Sequence, residues 1–267
     1  MGGFESETRE WVRKAQKRVS ELSTLPPEER DRSVHAFAAS AAEYAALCTL
    51  LSGEFVEAVD WFATAAEQYE LDALKRPEED VSVSVLHTSP HPFQRGLYCA
   101  LVGGDSMLGE EIATDILGFD RTFSYAVEHT GEKVTVEAEP DRYHHMRVMA
   151  GGVLDEPRVV NESAAALHGE LDQINELSGR QKRYGFEADI LGAILSDDAS
   201  QVMEKLTDVL ELHRAGIQDP SELTADEAVC LEATGLVILA RQYGLEVTVD
   251  SEFVPSEYVS FVLDRRL

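Results

Sequence analysis

The segment from Ala228 to Ala240, AVCLEATGLVILA, constrains this chain more than any other, because only Glu232, Thr234 and Gly235 interrupt its apolar run. A helix with no polar stripe has no face to give to water and belongs at the centre of a fold. Thr224 and Glu227 have the spacing of a capping box, which sets the expected helix start at Thr224. Gly244 suits the left-handed stop position, with Arg241 near the negative end of the helix dipole. Beyond it Leu245, Val247 and Val249 alternate with Glu246, Thr248 and Asp250, the period-2 pattern of a half-buried extended segment, and Pro255 closes the run. The expectation is a buried helix that hands the chain to a short strap, with other helices stacked against it.

Those other helices are legible from spacing. Phe4, Trp11, Ala15, Val19 and Leu22 recur at helical intervals over residues 4–22. Pro26 and Pro27 end the following linker, and Pro27 fits the first turn of a second helix that runs to about Leu51 through AFAASAAEYAALCTLL, whose small residues allow close packing. After Ser52-Gly53-Glu54 comes another apolar stripe, Phe55, Val56, Val59, Phe62 and Ala66. Gly53, Phe55, Ala58, Phe62 and Ala65 fall where one tetratricopeptide unit places its turn glycine and its interlocking small and aromatic residues. The joint recurs at Gly104-Asp105, Asp155-Glu156-Pro157 and Asp197-Asp198, roughly 40 to 50 residues apart, the length of a helix pair with its connection. The predicted fold is all-α: four stacked αα-hairpins, tetratricopeptide-like and irregular, capped by the closing helix and its short extended strap. Residues 1–267 read as one all-helical domain, with 1–80 and 90–267 as its alternative subdivision. VSVSVLHTSPHP at Val81–Pro92 and the extended run Lys133–Val136 read as connectors, too short to build a sheet.

Composition bears on partners. The chain carries 50 acidic against 23 basic residues, a net charge of −27, and such a field repels nucleic-acid phosphates and anionic lipid. Adaptation to a salty cytoplasm and recognition of a basic partner such as a nuclease both account for it. No run reaches the roughly 18 consecutive apolar residues that suggest a membrane span. The acidic start MGGFESETREW resembles neither a signal nor a transit peptide, so the expected location is cytoplasmic. Cys48, Cys99 and Cys230 are far apart in apolar stretches and read as buried thiols of a reducing compartment.

Signals for chemistry are sparse. His87 and His91 flank a proline loop, and His144 and His145, with Asp141 ahead of them, point about 100° apart on a helix, so neither set converges as zinc ligands would. No metal and no cofactor is expected. Glu43, Asp60 and Glu232 each interrupt an apolar helix, where an ionised group must find partners or shift its pKa upward; they read as hydrogen-bond anchors or solvent-facing positions ahead of general acids or bases. No GxSxG elbow, P-loop or strand–GxGxxG–helix unit occurs, Gly103-Gly104 and Gly151-Gly152 read as joint glycines, and Ser33, Ser163 and Ser200 form no recognisable triad. Binding is the better expectation than catalysis.

GLYCALVGGD at Gly96–Asp105, DRYHHMRVMAGGVL at Asp141–Leu154, LTDVLELHRAG at Leu206–Gly216 and, above all, GLVILARQYGLEVTVDSEFVP at Gly235–Pro255 resemble the immunity protein 49 family of polymorphic toxin systems, over roughly residues 90 to 262. The resemblance implies a cytoplasmic protein that neutralises a co-encoded toxin by stoichiometric binding and has no catalytic residues to assign. The binding residues are unassigned; Tyr69, Tyr184 and Tyr258 are candidates by type only, with core packing as the competing role. The oligomeric state is left open. A tetratricopeptide-like adaptor in a regulatory complex is the alternative function, and a helical metal-dependent hydrolase with buried carboxylates the third.

Overall fold

A residue held in the left-handed region turns each of four helix pairs. The computed structural model describes residues 5–26, 32–73, 91–119, 121–126 and 133–265. After α1 (Glu5–Thr24), the pairs are α2 (Arg32–Leu51) with α3 (Phe55–Ala73), α4 (His91–Gly103) with α5 (Ser106–Gly118), α6 (Pro140–Val153) with α7 (Pro157–Leu171), and α8 (Gly179–Leu195) with α9 (Ala199–Gly216). Their joints carry positive φ at Gly53 (80°), Gly104 (72°), Asp155 (54°) and Asp197 (59°). Glycine meets no Cβ clash there, and aspartate is among the few other residues that tolerate it. The next N–H then reaches back five residues, Asp105 to Ala100 O at 3.0 Å and Asp198 to Ala193 O at 2.9 Å, which satisfies carbonyls the helix end leaves open. Asp105 and Asp198 also cap the following helices, accepting from the N–H groups of Leu108 and Gln201. The same short segment therefore ends one helix and starts its partner, which is why the four predicted joints are found where the sequence puts them.

Successive pairs stack, α3 on α4, α5 on α6 and α7 on α8, and the leading helices α4, α6 and α8 also meet one another. Small residues permit the close approach. Ala58, Ala65 and Ala66 flank Phe62 in the interior, and a Cβ on Gly152 would stand 2.6 Å from Leu191 Cδ2. Gly151 and Gly152 are thus contact residues within α6, and the third joint lies beyond them at Asp155. Within α2 the window Val34–Leu51 is, by length and mean hydropathy alone, apolar enough to cross a membrane, although His35, Ser40, Glu43 and Thr49 interrupt it and no run of consecutive apolar residues there reaches 18. In the fold α1 and α3 cover it, and its central Glu43 is paired with Arg95.

Between α5 and α6 the strands β1 (Thr122–Ala126) and β2 (Lys133–Glu137) form an antiparallel hairpin, with Thr122 opposite Glu137 and Ala126 opposite Lys133. This corrects the reading of Lys133–Val136 as a lone connector: TFSYA, too short to signal alone, supplies its partner. The expected connector at Val81–Pro92 falls outside the described residues up to Pro90, as do His87, Phe4 and Pro27.

The apolar C-terminal segment is two helices rather than one. Glu227 accepts from the N–H (3.0 Å) and hydroxyl (2.7 Å) of Thr224, so the capping box starts only α10 (Ala225–Ala228). The chain extends through Val229 and Cys230 before α11 (Leu231–Gln242), all of whose residues from Leu231 to Ala240 are buried. Nor does α11 cap the end of the row. It lies across α4, with Gly235 against Tyr98 and Leu101, Arg183 of α8 bound at its start, and Tyr243 just past its end donating to Gly152 O at 2.7 Å. Full burial of Leu231, Leu236, Val237, Ile238 and Leu239 contributes about 1.5–3 kcal/mol each before chain entropy. The strap follows Gly244 (φ 86°), with Leu245 and Val247 buried and Glu246, Thr248 and Asp250 exposed. Then α12 (Ser256–Asp264) returns to α3 and α4, where Tyr258 is wholly buried against Phe55 and Phe62.

Substituting Gly104 by valine forces a β-branched side chain into the left-handed region and should lower unfolding free energy by about 1–2 kcal/mol. Asp197→Gly should leave it unchanged or slightly raised. Urea midpoints of the two variants test this, and equal losses would contradict the role given to the joints.

Candidate functional site

Opposite the joints, where α4 and α8 begin, a chain of paired charges runs through the interior. Glu43 on α2 accepts from Tyr69 Oη at 2.8 Å and from Arg95 Nε at 3.2 Å, while Arg95 Nη2 closes on its second oxygen. Arg95 extends to Glu232 Oε1 at 3.4 Å, and Arg183 Nη1 donates to that same oxygen at 2.7 Å. Arg183 Nε stands 3.6 Å from Glu187 Oε1, and the other oxygen of Glu187 meets His145 Nε2. Tyr184 Oη donates to Gln94 Oε1 at 3.2 Å, which turns the Gln94 amide N–H toward His145 Nδ1 at 2.7 Å, so that the imidazole proton sits on Nε2 facing Glu187. The His145 and Tyr184 rings stack at 4.0 Å. The chain thereby joins α2, α4, α11, α8 and α6, four of which belong to the row and one to the C-terminal segment.

The sequence explains why these groups ionise inside the protein. Arg95 and Arg183 lie near the N-terminal ends of α4 and α8, and their side chains stay 20% and 33% exposed while those of Glu43 and Glu232 are 9% and 8% exposed. Burial by itself raises the Glu232 carboxyl; Arg183 and then Arg95 outweigh it and hold the group at about 2, well below its usual 4.5. Arg95 is likewise drawn down by burial and raised more by Glu43 and Glu232, so its proton is held more tightly than normal. A carboxylate fixed in the ionised form between two guanidiniums is a poor proton donor at neutral pH. Burial pushes the Cys48 thiol up to about 12 and also raises Cys99 and Cys230, which favours the protonated, less nucleophilic form of each.

The residues singled out from the sequence separate cleanly. Glu43 and Glu232 are the two anchors of this chain of charges, whereas Asp60 is exposed on α3. His145 is buried within it, and its neighbour His144 is on the surface side, half-buried against Tyr143. Asp141 accepts from Gln181 at 3.1 Å. His91 is exposed at the start of α4. Among the described residues no three His, Cys, Asp or Glu side chains stand where they could share a metal ion. Tyr69, Tyr184 and Tyr258 are all core residues, as their competing role required. Arg95, Arg183 and Glu187 escaped sequence reading. Their signal was the cation at 95 inside PFQRGLYCALV and the Arg183–Glu187 spacing of four on a helix that is otherwise apolar at that face.

The joint edge has the opposite character. Glu54, Asp155, Glu156, Asp197 and Asp198 are exposed there, followed on the trailing helices by exposed Glu110, Glu111 and Glu204. Val56, Met107 and Met203, exposed by 59%, 81% and 38%, lie in the opening turns of α3, α5 and α9. The immunity protein 49 family model matches residues 118–258, more than half of the chain and the whole span from the hairpin through the third and fourth pairs, α11 and the strap. The chain belongs to the immunity protein 49 family. The matched span starts later than the expected residue 90 and leaves out GLYCALVGGD, so Arg95 grips the family's buried helix from outside the matched region. No curated protein and no solved structure matches.

Glu232→Gln should destabilise the protein by about 3 kcal/mol at pH 7, the free energy equivalent of the depressed carboxyl. Because the folded-state value lies below the unfolded one, the contribution is complete above pH 4.5 and disappears as the pH falls through about 2. Urea unfolding of wild type and variant from pH 7 to pH 2.5 should show the gap narrowing only at the acid end; a gap independent of pH would contradict the assignment.

Proposed function

We propose that this protein is the immunity partner of a co-encoded protein toxin, acts in the cytoplasm, and neutralises the toxin by forming a stoichiometric complex without turnover of its own. Family membership carries the proposal. Three free, buried thiols suit a reducing compartment. The charged groups of the interior are committed to one another, which leaves the outer surface as the part of the molecule able to meet a partner. Along the joint edge that surface is acidic, with apolar side chains set into it. A field of this sign speeds encounter with a basic protein, while the exposed methionines and valine offer area to desolvate on contact.

The adaptor reading is less well supported by the packing. A solenoid of helix pairs offers its partner an extended surface on the leading helices. Here α11 lies across α4 and is tied to α6 and α8 at its two ends, so the protein's own segment fills that place. The hydrolase reading needs a carboxyl with a raised pKa, and Glu232 is shifted the other way.

Co-expression with the toxin domain encoded beside it should restore growth, and the purified pair should run as a one-to-one complex. Its association rate should fall steeply with salt and drop about tenfold on joint reversal of Glu54, Glu110 and Glu204 to lysine. Growth arrest despite co-expression, with no complex in solution, would overturn the proposal.

A further inference from the structure

The row of pairs ends at α9, and the strap runs beside it without closing against it. Between them lies a groove of about 200 Å³, walled by Met203, Thr207, Leu210 and Arg214 on α9 and by Val249 on the strap, with Glu211 and Asp250 on its lips; Arg214 is itself drawn toward Glu252, 3.8 Å away. Its volume is below the roughly 300–1,000 Å³ of small-molecule pockets, and one of its walls is the extended backbone of the strap.

The backbone of the strap points the same way. Both of its ends are fixed: the Val247 carbonyl accepts from Arg241 Nε at 2.9 Å, the Val247 N–H donates to Leu245 O, and Phe253 O accepts from the Cys230 N–H at 2.9 Å. Between those ends the N–H and C=O groups of Thr248, Val249 and Asp250 have no hydrogen-bond partner among the described residues. Their side chains keep the strand alternation, Thr248 and Asp250 exposed and Val249 half-buried. An extended segment held at both ends, with free main-chain donors and acceptors beside a groove in which Met203, Leu210 and Val249 offer apolar surface among polar neighbours, is a prepared template for another strand, and its order before binding lowers the entropy lost on binding.

We propose that Thr248–Asp250 is an open β-edge onto which an extended basic segment of the toxin adds as a strand, with its apolar side chains seated between Val249 and the Met203–Leu210 face of α9. The partner rests on the function proposed above; the mode of recognition is new to it. Main-chain pairing supplies affinity, Met203, Leu210 and Val249 receive apolar residues at alternate positions, and Glu211, Asp250 and the exposed Glu246, which outnumber the groove's one cation Arg214, select cations on the remaining ones while discouraging strand pairing with another copy of this acidic chain. The groove opens beside the fourth joint, since Met203 lies in the second turn of α9, so the acidic edge leads directly to it.

Two variants of the full chain test the mode. Thr248→Pro removes one edge N–H, and Thr207→Arg places a cation in the groove at an exposed helix position; both should keep the wild-type far-ultraviolet spectrum and melting temperature within a few degrees. Against the toxin domain encoded beside the gene, each should weaken binding at least tenfold, and amides 248–250 should become protected from deuterium exchange in the wild-type complex. A synthetic octapeptide alternating valine with arginine should bind the wild type and lose binding in both variants. If the toxin binds both variants as tightly as wild type and amides 248–250 remain unprotected, the strand-addition proposal is overturned while the immunity reading stands. If the toxin forms no complex but the peptide binds in a manner sensitive to both variants, the edge is upheld as a strand acceptor and the immunity reading falls.

Discussion

The structure depends on one carboxylate oxygen shared between two arginines. Glu232 sits in the first turn of a helix whose residues from Leu231 to Ala240 are all buried, and a charge placed there without partners would cost far more than the surrounding packing could offset. Arg95 from the second pair and Arg183 from the fourth make the position tenable. Because those pairs are separated along the row, the contact also fixes their relative placement. A helix with hydrophobic residues on every side could slide or rotate among its neighbours at small cost, whereas a carboxylate that must meet two guanidiniums defines one register. Buried ion pairs are often no more stabilising than apolar groups of equal volume, although removing one partner costs about 3–5 kcal/mol. Here specificity of position is the better physical reason for the charges, with the hydrophobic contacts of α11 supplying the bulk of the stability.

That arrangement divides the molecule into two electrical regions. On the edge where α4 and α8 begin, arginines meet carboxylates and neutralise them. On the joint edge the carboxylates stand in water, and several have local duties as helix caps or left-handed turn residues. The net charge of −27 is therefore not spread evenly in its consequences. One part of it builds the interior and another sets the outer field. Salt adaptation and the proposed partner recognition both draw on the second part, and the strap beside α9 is where that field coincides with free main-chain groups and the groove that holds Met203, Leu210 and Val249.

Much of the fold was legible because its signals are local. Gly53, Gly104-Asp105, Asp155-Glu156 and Asp197-Asp198 mark the joints through backbone chemistry that needs no tertiary information, and the buried character of Ala228–Ala240 follows from its lack of a polar face. The expectations that failed concern relations between distant residues. Thr224 and Glu227 read as the start of the long helix, yet the chain opens at Val229 and Cys230, where the Cys230 N–H is drawn to Phe253 O instead of continuing the helical ladder. The position of α11 across the row, not at its end, is decided by Arg95 and Arg183, whose separation from Glu232 in sequence hides the pairing. Glu43 and Glu232 were recognisable as buried charges, but their partners were not, since a single cation in an apolar stretch carries no pointer to its anion. Similarly, TFSYA and KVTVE are each too short to signal a hairpin until they meet.

In this fold α11 should be the last element to let go, held by the shared carboxylate. Native-state hydrogen exchange across a urea series measures this directly. Amides of Leu236–Ala240 should exchange only through global unfolding in the wild type, and replacing Arg95 and Arg183 together by methionine should allow them to exchange through a smaller opening while α2 and α3 remain protected. If the amides of α11 already exchange more readily than those of α4 and α8 in the unaltered protein, the helix is not what the fold is built around.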